Sequence, residues 1–420
     1  MLGTLTNSLE WANNIIEYLR NQSCHESLTF PLQIYLLILC KRNKSDMSSY
    51  LVDLTMDTAK SHLSVKKSIT IMALGLLAFI AYLYFFVGFG EILEIIREVD
   101  PFEYFLYYSL TIVAIILSVL FYSMVWHELL KALLLRIGLR KSFLYSWIGN
   151  FVDLVVPLEA ISGEVTRAYL VYNDLKENFG ETVASLVCHR IISIFTTLSM
   201  LIVSSLYLIL RYPVEARVLY LLTIVAIGTA VTIGVLLYLS AKEAAAEKLV
   251  NMLIRMVGIV TRDRAKLANL RVKAKDTLSS FHKAVKTFRN PKYLAKPIAY
   301  SYVSWLFHLA IYFLVFYALG FKEITGYFSQ IVIVFSISLA VQTIPVAFPV
   351  GLVEIVMTSL YVLFGISPAI SGVATTLIRV ITFWFQILVG YLIVEWIGVR
   401  HLLRRRGSKL ENSPSNDGSR

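Results

Sequence analysis

The chain has 420 residues, of which 57% are apolar and only 16% charged, with a mean hydropathy of +0.68. Soluble chains run near about 45–50% apolar and about 25% charged, so a set of soluble domains is excluded and an all-α, polytopic transmembrane helical bundle is expected. The net charge of +11 is local, because residues 241–296 hold 14 Lys and Arg against four acids while the rest of the chain carries +1; no nucleic-acid partner is expected.

Residues 1–65 form an N-terminal extension that reads as poorly ordered or interfacial. Its apolar run, Leu28 to Cys40, has 13 residues and is too short to span. Glu10 and Glu17 precede that run and Lys41, Arg42 and Lys44 follow it, the reverse of a cleaved secretory signal. An upstream start codon is one reading, with Met47 or Met56 opening the protein. The first membrane half, 66–240, offers spans at Ser68–Phe89 and Tyr104–Trp126. A shorter segment, Ser142–Leu158, is interrupted by Gly149, Asn150 and Asp153 and runs into Pro157, which suits a broken or re-entrant element. The polar stretch Glu159–Glu181 then leads to Thr182–Arg211 and Val218–Ser240.

Residues 241–297 make a basic loop. Within it Leu267, Leu270, Ala274, Leu278, Phe281, Val285 and Phe288 recur at helical spacing opposite Lys and Arg. An amphipathic helix follows, lying on anionic inner-leaflet lipids or on a helical partner, with a solvated linker helix as the plainer alternative. The second half, 298–400, contains Ile298–Gly320, Tyr327–Phe348, a short Gly351–Phe364 and a long Pro368–Val399. The whole chain gives about seven to nine spans, and residues 401–420 read as a disordered polar tail.

Charge sets the orientation. Lys60, Lys66 and Lys67 before the first span, and Lys131, Arg136, Arg140 and Lys141 after the second, mark cytoplasmic flanks of a plasma-membrane protein of prokaryotic type, as does the 241–297 loop. An even number of crossings then separates the 128–141 loop from 241–297, so Ser142–Leu158 enters and returns on one side. The tail conflicts: residues 400–420 carry six basic residues and two acids, yet three long spans plus one re-entrant turn leave it outside.

Cys24, Cys40 and Cys188 are an odd set without metal-ligand spacing, so no disulfide framework, no metal and no cofactor is expected. Walker, dinucleotide, GxSxG and HExxH signatures are missing, and no catalytic residue is assigned.

Two constellations place Pro, Gly, Glu and Arg in apolar surroundings. One runs from Asn150 through Pro157, Gly163, Glu164 and Arg167 to Arg190. The other runs from Pro345, Pro349, Gly351 and Glu354 to Arg379. The Glu-to-Arg spacing is 26 in one and 25 in the other, and small residues precede each arginine (Ala184, Ser185; Ala374, Thr375, Thr376), a degenerate internal repeat. An ionisable side chain at the bilayer centre costs about 2.5–3.5 kcal/mol, so such residues pair, face water or act. Helix starts exposed at breaks attract anions and arginine forks to phosphate, so Asn150, Glu164, Arg167, Arg190, Glu354 and Arg379 are candidate binding residues for a phospholipid headgroup. Pro157, Gly163, Pro345, Pro349 and Gly351 are candidate helix breaks. Plainer readings stand beside these: Glu164 and Arg167 as a surface pair, Arg190 and Arg379 as structural pins, Asn150 and Asp153 as caps, and His127, His189 and His308 as packed side chains.

At these residues the chain resembles the flippase-like family also called the lysylphosphatidylglycerol synthase transmembrane region, from about Lys66 to Arg400. Asn150, Pro157, Gly163, Glu164, Arg167, Ala184, Ser185 and Arg190 follow the family's first motif; Pro345, Pro349, Gly351, Glu354, Arg379, Phe383 and Trp384 follow its second. The chain departs at His189 and Ser193, where the family commonly has acids. The resemblance implies movement of an anionic, aminoacylated or glycosylated lipid headgroup through a cleft between repeat halves. Aminoacyl transfer in that family belongs to a separate soluble domain that these residues do not include, so no enzyme activity is expected. Rival expectations are a transferase on lipid-linked substrates, with Glu164 or Glu354 as base, and an accessory subunit of an envelope or glycosyltransferase complex docking through the basic loop. A homodimer is also compatible.

Overall fold

A computed structural model describes residues 97–155, 162–176, 179–211, 216–260, 264–342 and 350–397, with isolated positions between 77 and 94. The extension 1–65, most of the expected span Ser68–Phe89, the tail 401–420, and Pro157, Pro345 and Pro349 lie outside the described residues.

The bundle is built on two antiparallel helices, α1 (Pro101–Ala132) and α8 (Ala295–Ala318). Asp100 starts α1 by accepting from the backbone N–H of Phe102 and Glu103, with Pro101 preset for the first turn. Small residues let the two backbones approach: Ser118 Oγ donates to the Ser304 carbonyl at 3.1 Å, and Ser304 Oγ returns a bond to Ser118 at 2.8 Å. Stacked Tyr107 and Tyr317, and the 2.9 Å pair Lys322–Glu103, mark one end of the bundle. Lys131 and Lys296 mark the other, the basic end.

From the basic end α2 (Leu139–Val155) descends and α3 (Ser162–Leu175) returns. Lys141 and Tyr145 both bind Asp174 Oδ2 at the mouth, at 2.9 and 2.6 Å, and Asp153 Oδ1 accepts from the Gly163 N–H and Ser162 Oγ at the tip, at 2.7 and 2.9 Å. The expected turn inside Ser142–Leu158 is therefore placed differently. The apolar segment is only the descending arm, and part of the polar stretch Glu159–Glu181 is the returning one. Hydropathy misreads that arm because Ser162, Thr166 and Arg167 are polar yet buried against protein.

Next, α4 (Phe179–Arg211) crosses and α5 (Ala216–Ala241) comes back. Only 6% of the most apolar window of α5 is buried, and Tyr220, Ile224 and Ile227 are exposed, so its surroundings must be lipid. At the basic end α6 (Glu243–Val260) and α7 (Arg264–Thr287) pack together, and α7 lies on α4. A Cβ at Gly180 would collide with the Thr277 carbonyl, so glycine there permits the approach. Phe288 completes the contact with Val125, Leu129 and Ile192, while Lys275, Lys283, Lys286 and Arg289 stay exposed. The described part of the amphipathic stripe thus faces α4.

In the second half α9 (Phe328–Gln342) starts beside Lys322 and is buried from Ile331 to Ser338. After it come α10 (Leu352–Leu363) and α11 (Pro368–Ile397), joined by a tight turn in which Gly365 takes φ +88°. Three contacts fix the direction of α11: Tyr108 Oη donates to the Leu377 carbonyl at 3.2 Å, Asn150 Nδ2 reaches Gln386 Oε1 at 3.5 Å, and Ile393, Val394 and Ile397 pack against the buried cluster that includes Trp126, Leu130 and Leu135. It runs parallel to α1 and ends at the basic end. Consequently α10 points toward the Lys322 end, and α9 with α10 enters and returns there. Six described helices are long and apolar enough to cross, Lys322–Gln342 among them by length and composition alone. With α9 and α10 as one re-entrant pair, the conflict over the tail disappears, because residue 397 lies at the basic end. We expect an impermeant maleimide to label cysteines introduced at Lys131, Lys286 and after residue 397 from one face of a sealed vesicle, and one at Lys322 only from the other; labelling of Lys322 together with Lys286 would contradict this topology.

Candidate functional site

The two constellations are related by an inverted repeat. Glu164 is the third residue of α3, directly after Gly163, and Glu354 the third of α10, three residues after Gly351; Arg190 is the twelfth residue of α4 and Arg379 the twelfth of the stretch Pro368–Arg379. At 1.5 Å per residue each arginine lies roughly 17 Å from the start of its helix, near the centre of a hydrocarbon core about 30 Å thick. One re-entrant pair opens at the basic end and the other at the opposite end, the inverted organisation from which many transporters are built.

The pairs differ in closure. Arg379 Nε donates to Glu354 Oε1 at 2.8 Å, with side chains only 3% and 6% exposed. Glu354 Oε2 also accepts from the Gly351 N–H at 2.6 Å; Gly351 has φ +90°, a conformation that favours glycine. The guanidinium lies 4.7 Å from the Phe383 ring centroid, just where α11 widens into a π turn, Val380–Phe385. In the first half Arg190 Nε stands 4.0 Å from Glu164 Oε1, beyond hydrogen-bond reach, with side chains 27% and 21% exposed.

The first half also holds a further cation. Arg167 is fully buried, whereas the corresponding position three residues after Glu354 is Met357. Its Nη2 donates to Tyr122 Oη at 3.3 Å and its Nη1 is 3.4 Å from His189 Nδ1. The rings of Tyr122 and Trp126 lie 5.5 and 5.6 Å from its guanidinium carbon, a desolvated cation–π arrangement worth about 2 kcal/mol. Trp126 is itself anchored by donating to Ser185 Oγ at 3.0 Å. Arg167 Nε and His189 Nε2 are buried with no partner. Gly149 makes room for this arginine, since a Cβ there would sit 2.9 Å from Arg167 Cγ.

The structure therefore brings Gly163, Glu164, Arg167 and Arg190 together at the tip of α2–α3, and Gly351, Glu354 and Arg379 at the start of α10. Asn150 belongs to neither cluster; it reaches across to Gln386 on α11. Arg167 is not half of a surface pair. Tyr122, Trp126 and His189 were not expected to embrace it, because they lie on α1 and α4, far away in sequence. Thr358, Tyr361 and Thr375 also line the second cluster's helices; their spacing of four and seven residues from Glu354, and four from Arg379, is a sequence signal that passes unnoticed in apolar helices. Among the described residues no group of three or more His, Cys, Asp or Glu is placed to hold a metal ion.

Residues 72–390 match the family described as the lysylphosphatidylglycerol synthase TM region. A UPF0104 membrane protein of Methanothermobacter thermautotrophicus is 23% identical over 333 residues, covering 79% of this chain and 96% of the relative. A second UPF0104 membrane protein, from Pyrococcus horikoshii, is 25% identical over 295 residues, covering 68% and 85%. No solved structure matches the chain.

Proposed function

From the premise that the chain belongs to the lysylphosphatidylglycerol synthase TM region family, we propose that this multi-pass membrane protein moves a lipid headgroup across the bilayer between its two repeat halves. The headgroup is anionic, or aminoacylated or glycosylated on a phosphate, and its acyl chains stay in the surrounding lipid. The basic end faces the cytoplasm of a plasma membrane, as the positive-inside rule requires.

The observation that carries this reading is the open Glu164–Arg190 pair beside the ring-held Arg167. An arginine 4.0 Å from its acid and partly exposed can exchange that acid for a phosphate, to which it forks with two parallel bonds. Arg167 supplies a second, desolvated positive charge close by, and Glu164 can hold a cationic group carried on the same headgroup. Arg379 is engaged by Glu354 and serves as a second station only when that pair opens.

Reconstitution into liposomes containing a fluorescent phospholipid tests the reading. Hydrogen bonds to charged groups are worth about 1.5–3 kcal/mol, so Arg190→Ala should slow leaflet exchange at least about tenfold. Wild-type exchange no faster than that of an Arg190→Ala, Arg379→Ala double variant would overturn it.

A further inference from the structure

The hairpin of α10 and α11 contains a line of polar groups that the headgroup reading leaves unused. Moving from Glu354 by four residues along α10 reaches Thr358; moving back four from Arg379 along α11 reaches Thr375. The two helices are antiparallel, so the threonines stand at one level, roughly 6 Å above the ion pair toward the Lys322 end. A further step reaches Tyr361 on α10 and Ser371 on α11. All four residues are fully buried. Thr358 Oγ1, Thr375 Oγ1, Tyr361 Oη and, at the base, Arg379 Nη2 have no hydrogen-bond partner in the protein. Buried polar atoms in folded proteins are satisfied by protein or by ordered water, so water is the partner these four require.

The inverted repeat supplies an internal control. The positions that correspond to Thr358, Tyr361 and Thr375 are Ala168, Val171 and Leu186, all buried in an apolar cluster. The fold itself therefore does not demand hydroxyls here. The hydroxyls of Thr358, Tyr361 and Thr375 occur only in the half whose hairpin opens at the Lys322 end, whereas Ser371 corresponds to Thr182, a buried hydroxyl in the other half.

We propose that Glu354 is a proton site, loaded from the Lys322 end through water held between α10 and α11, and that its protonation frees Arg379 for a phosphate. A hydronium in this column gives its proton to the Glu354 carboxylate: one O–H bond breaks on the donor, one forms on the carboxyl, and the guanidinium keeps its own proton. Release is the reverse. Protonated Glu354 no longer neutralises Arg379, and a buried cation without a counter-charge is costly, so proton and anion bind together with mutual coupling. The ionisable groups around the pair are Arg379 on α11, Tyr361 on α10, Tyr108 on α1, and Tyr312 and His308 on α8; Tyr312 is hydrogen-bonded to Ser338 of α9, whose described residues include no ionisable side chain. The release of Arg379 to a headgroup rests on the reading above; the proton site does not.

Infrared difference spectra of the detergent-solubilised protein, stepped between alkaline and acid, read the site directly. Among the protonated-carboxyl bands, one is expected in wild type and in Glu164→Gln and lost in Glu354→Gln. Followed in time after the same step, a Thr358→Val, Thr375→Val double variant keeps the ion pair but should take up the proton, and so gain the Glu354 band, about tenfold more slowly. Its thermal unfolding, unchanged within a few degrees, would show that the fold survives. The band persisting in Glu354→Gln, or unaltered uptake in the valine variant, would overturn the proposal. Lipid exchange without a Glu354 band would also overturn it while the headgroup reading stands; the band without lipid exchange would leave the proton site standing and sink the headgroup reading.

Discussion

Arg379→Met is expected to lower unfolding free energy by about 3–5 kcal/mol, the cost of leaving one member of a buried ion pair alone. Glu354 would keep only the Gly351 N–H as partner, in a site where both side chains are nearly inaccessible. A Glu354→Gln, Arg379→Met double variant removes both charges and should recover most of the loss, because the desolvation cost disappears with the attraction. Arg190→Met breaks the open, partly exposed pair and should cost at most about 1 kcal/mol. Thermal unfolding in detergent micelles checks the set. Equal losses for Arg379→Met and Arg190→Met would show that the two pairs do not differ as described.

Gly163→Ala should also be destabilising. A Cβ there would fall inside contact distance of both the Gly149 carbonyl oxygen and the Asp153 carboxylate, and neither belongs to a freely moving chain end. The tip of α2–α3 would have to open, breaking the two bonds that Asp153 accepts from Ser162 and Gly163. Overpacking of this kind costs about 1–3 kcal/mol or more. Lipid exchange should fall with stability, since Glu164 directly follows the displaced glycine and Arg167 lies one helical turn beyond it. An alanine variant with wild-type unfolding and exchange would show that the tip is not tightly closed. Gly326→Ala, where nothing lies within 4 Å, is the matched control and should be neutral.

Much of the architecture was legible in the sequence. Length of apolar runs identified the helices, because a bilayer of fixed thickness demands segments of fixed length. The Glu-to-Arg spacings exposed the repeat, and the described basic flanks, Lys131 to Lys141 and the 241–297 loop, share one end of the bundle. The returning arm α3 was not legible. Its buried Ser162, Thr166 and Arg167 make it polar on average, and a hydropathy window cannot tell a polar residue facing protein from one facing water. Tyr327–Phe348 reads as a crossing by the same measure, and its described part is long and apolar enough to be one; only the opposite direction of α10 pairs α9 with a returning arm.

Composition and spacing alone fixed the membrane class and the two motif regions, because those depend on the identity and order of residues; the family entered through the resemblance those motifs carry. Tertiary structure decided which charges meet and how tightly. It closed Glu354 on Arg379 at 2.8 Å, left Glu164 and Arg190 4.0 Å apart, and wrapped Arg167 in rings from two other helices. It also set two re-entrant pairs at opposite ends, which brings residue 397 to the basic end. The physical reason is that pairing and burial are contacts across helices, and a linear hydropathy pattern holds no information on the distance between side chains hundreds of residues apart.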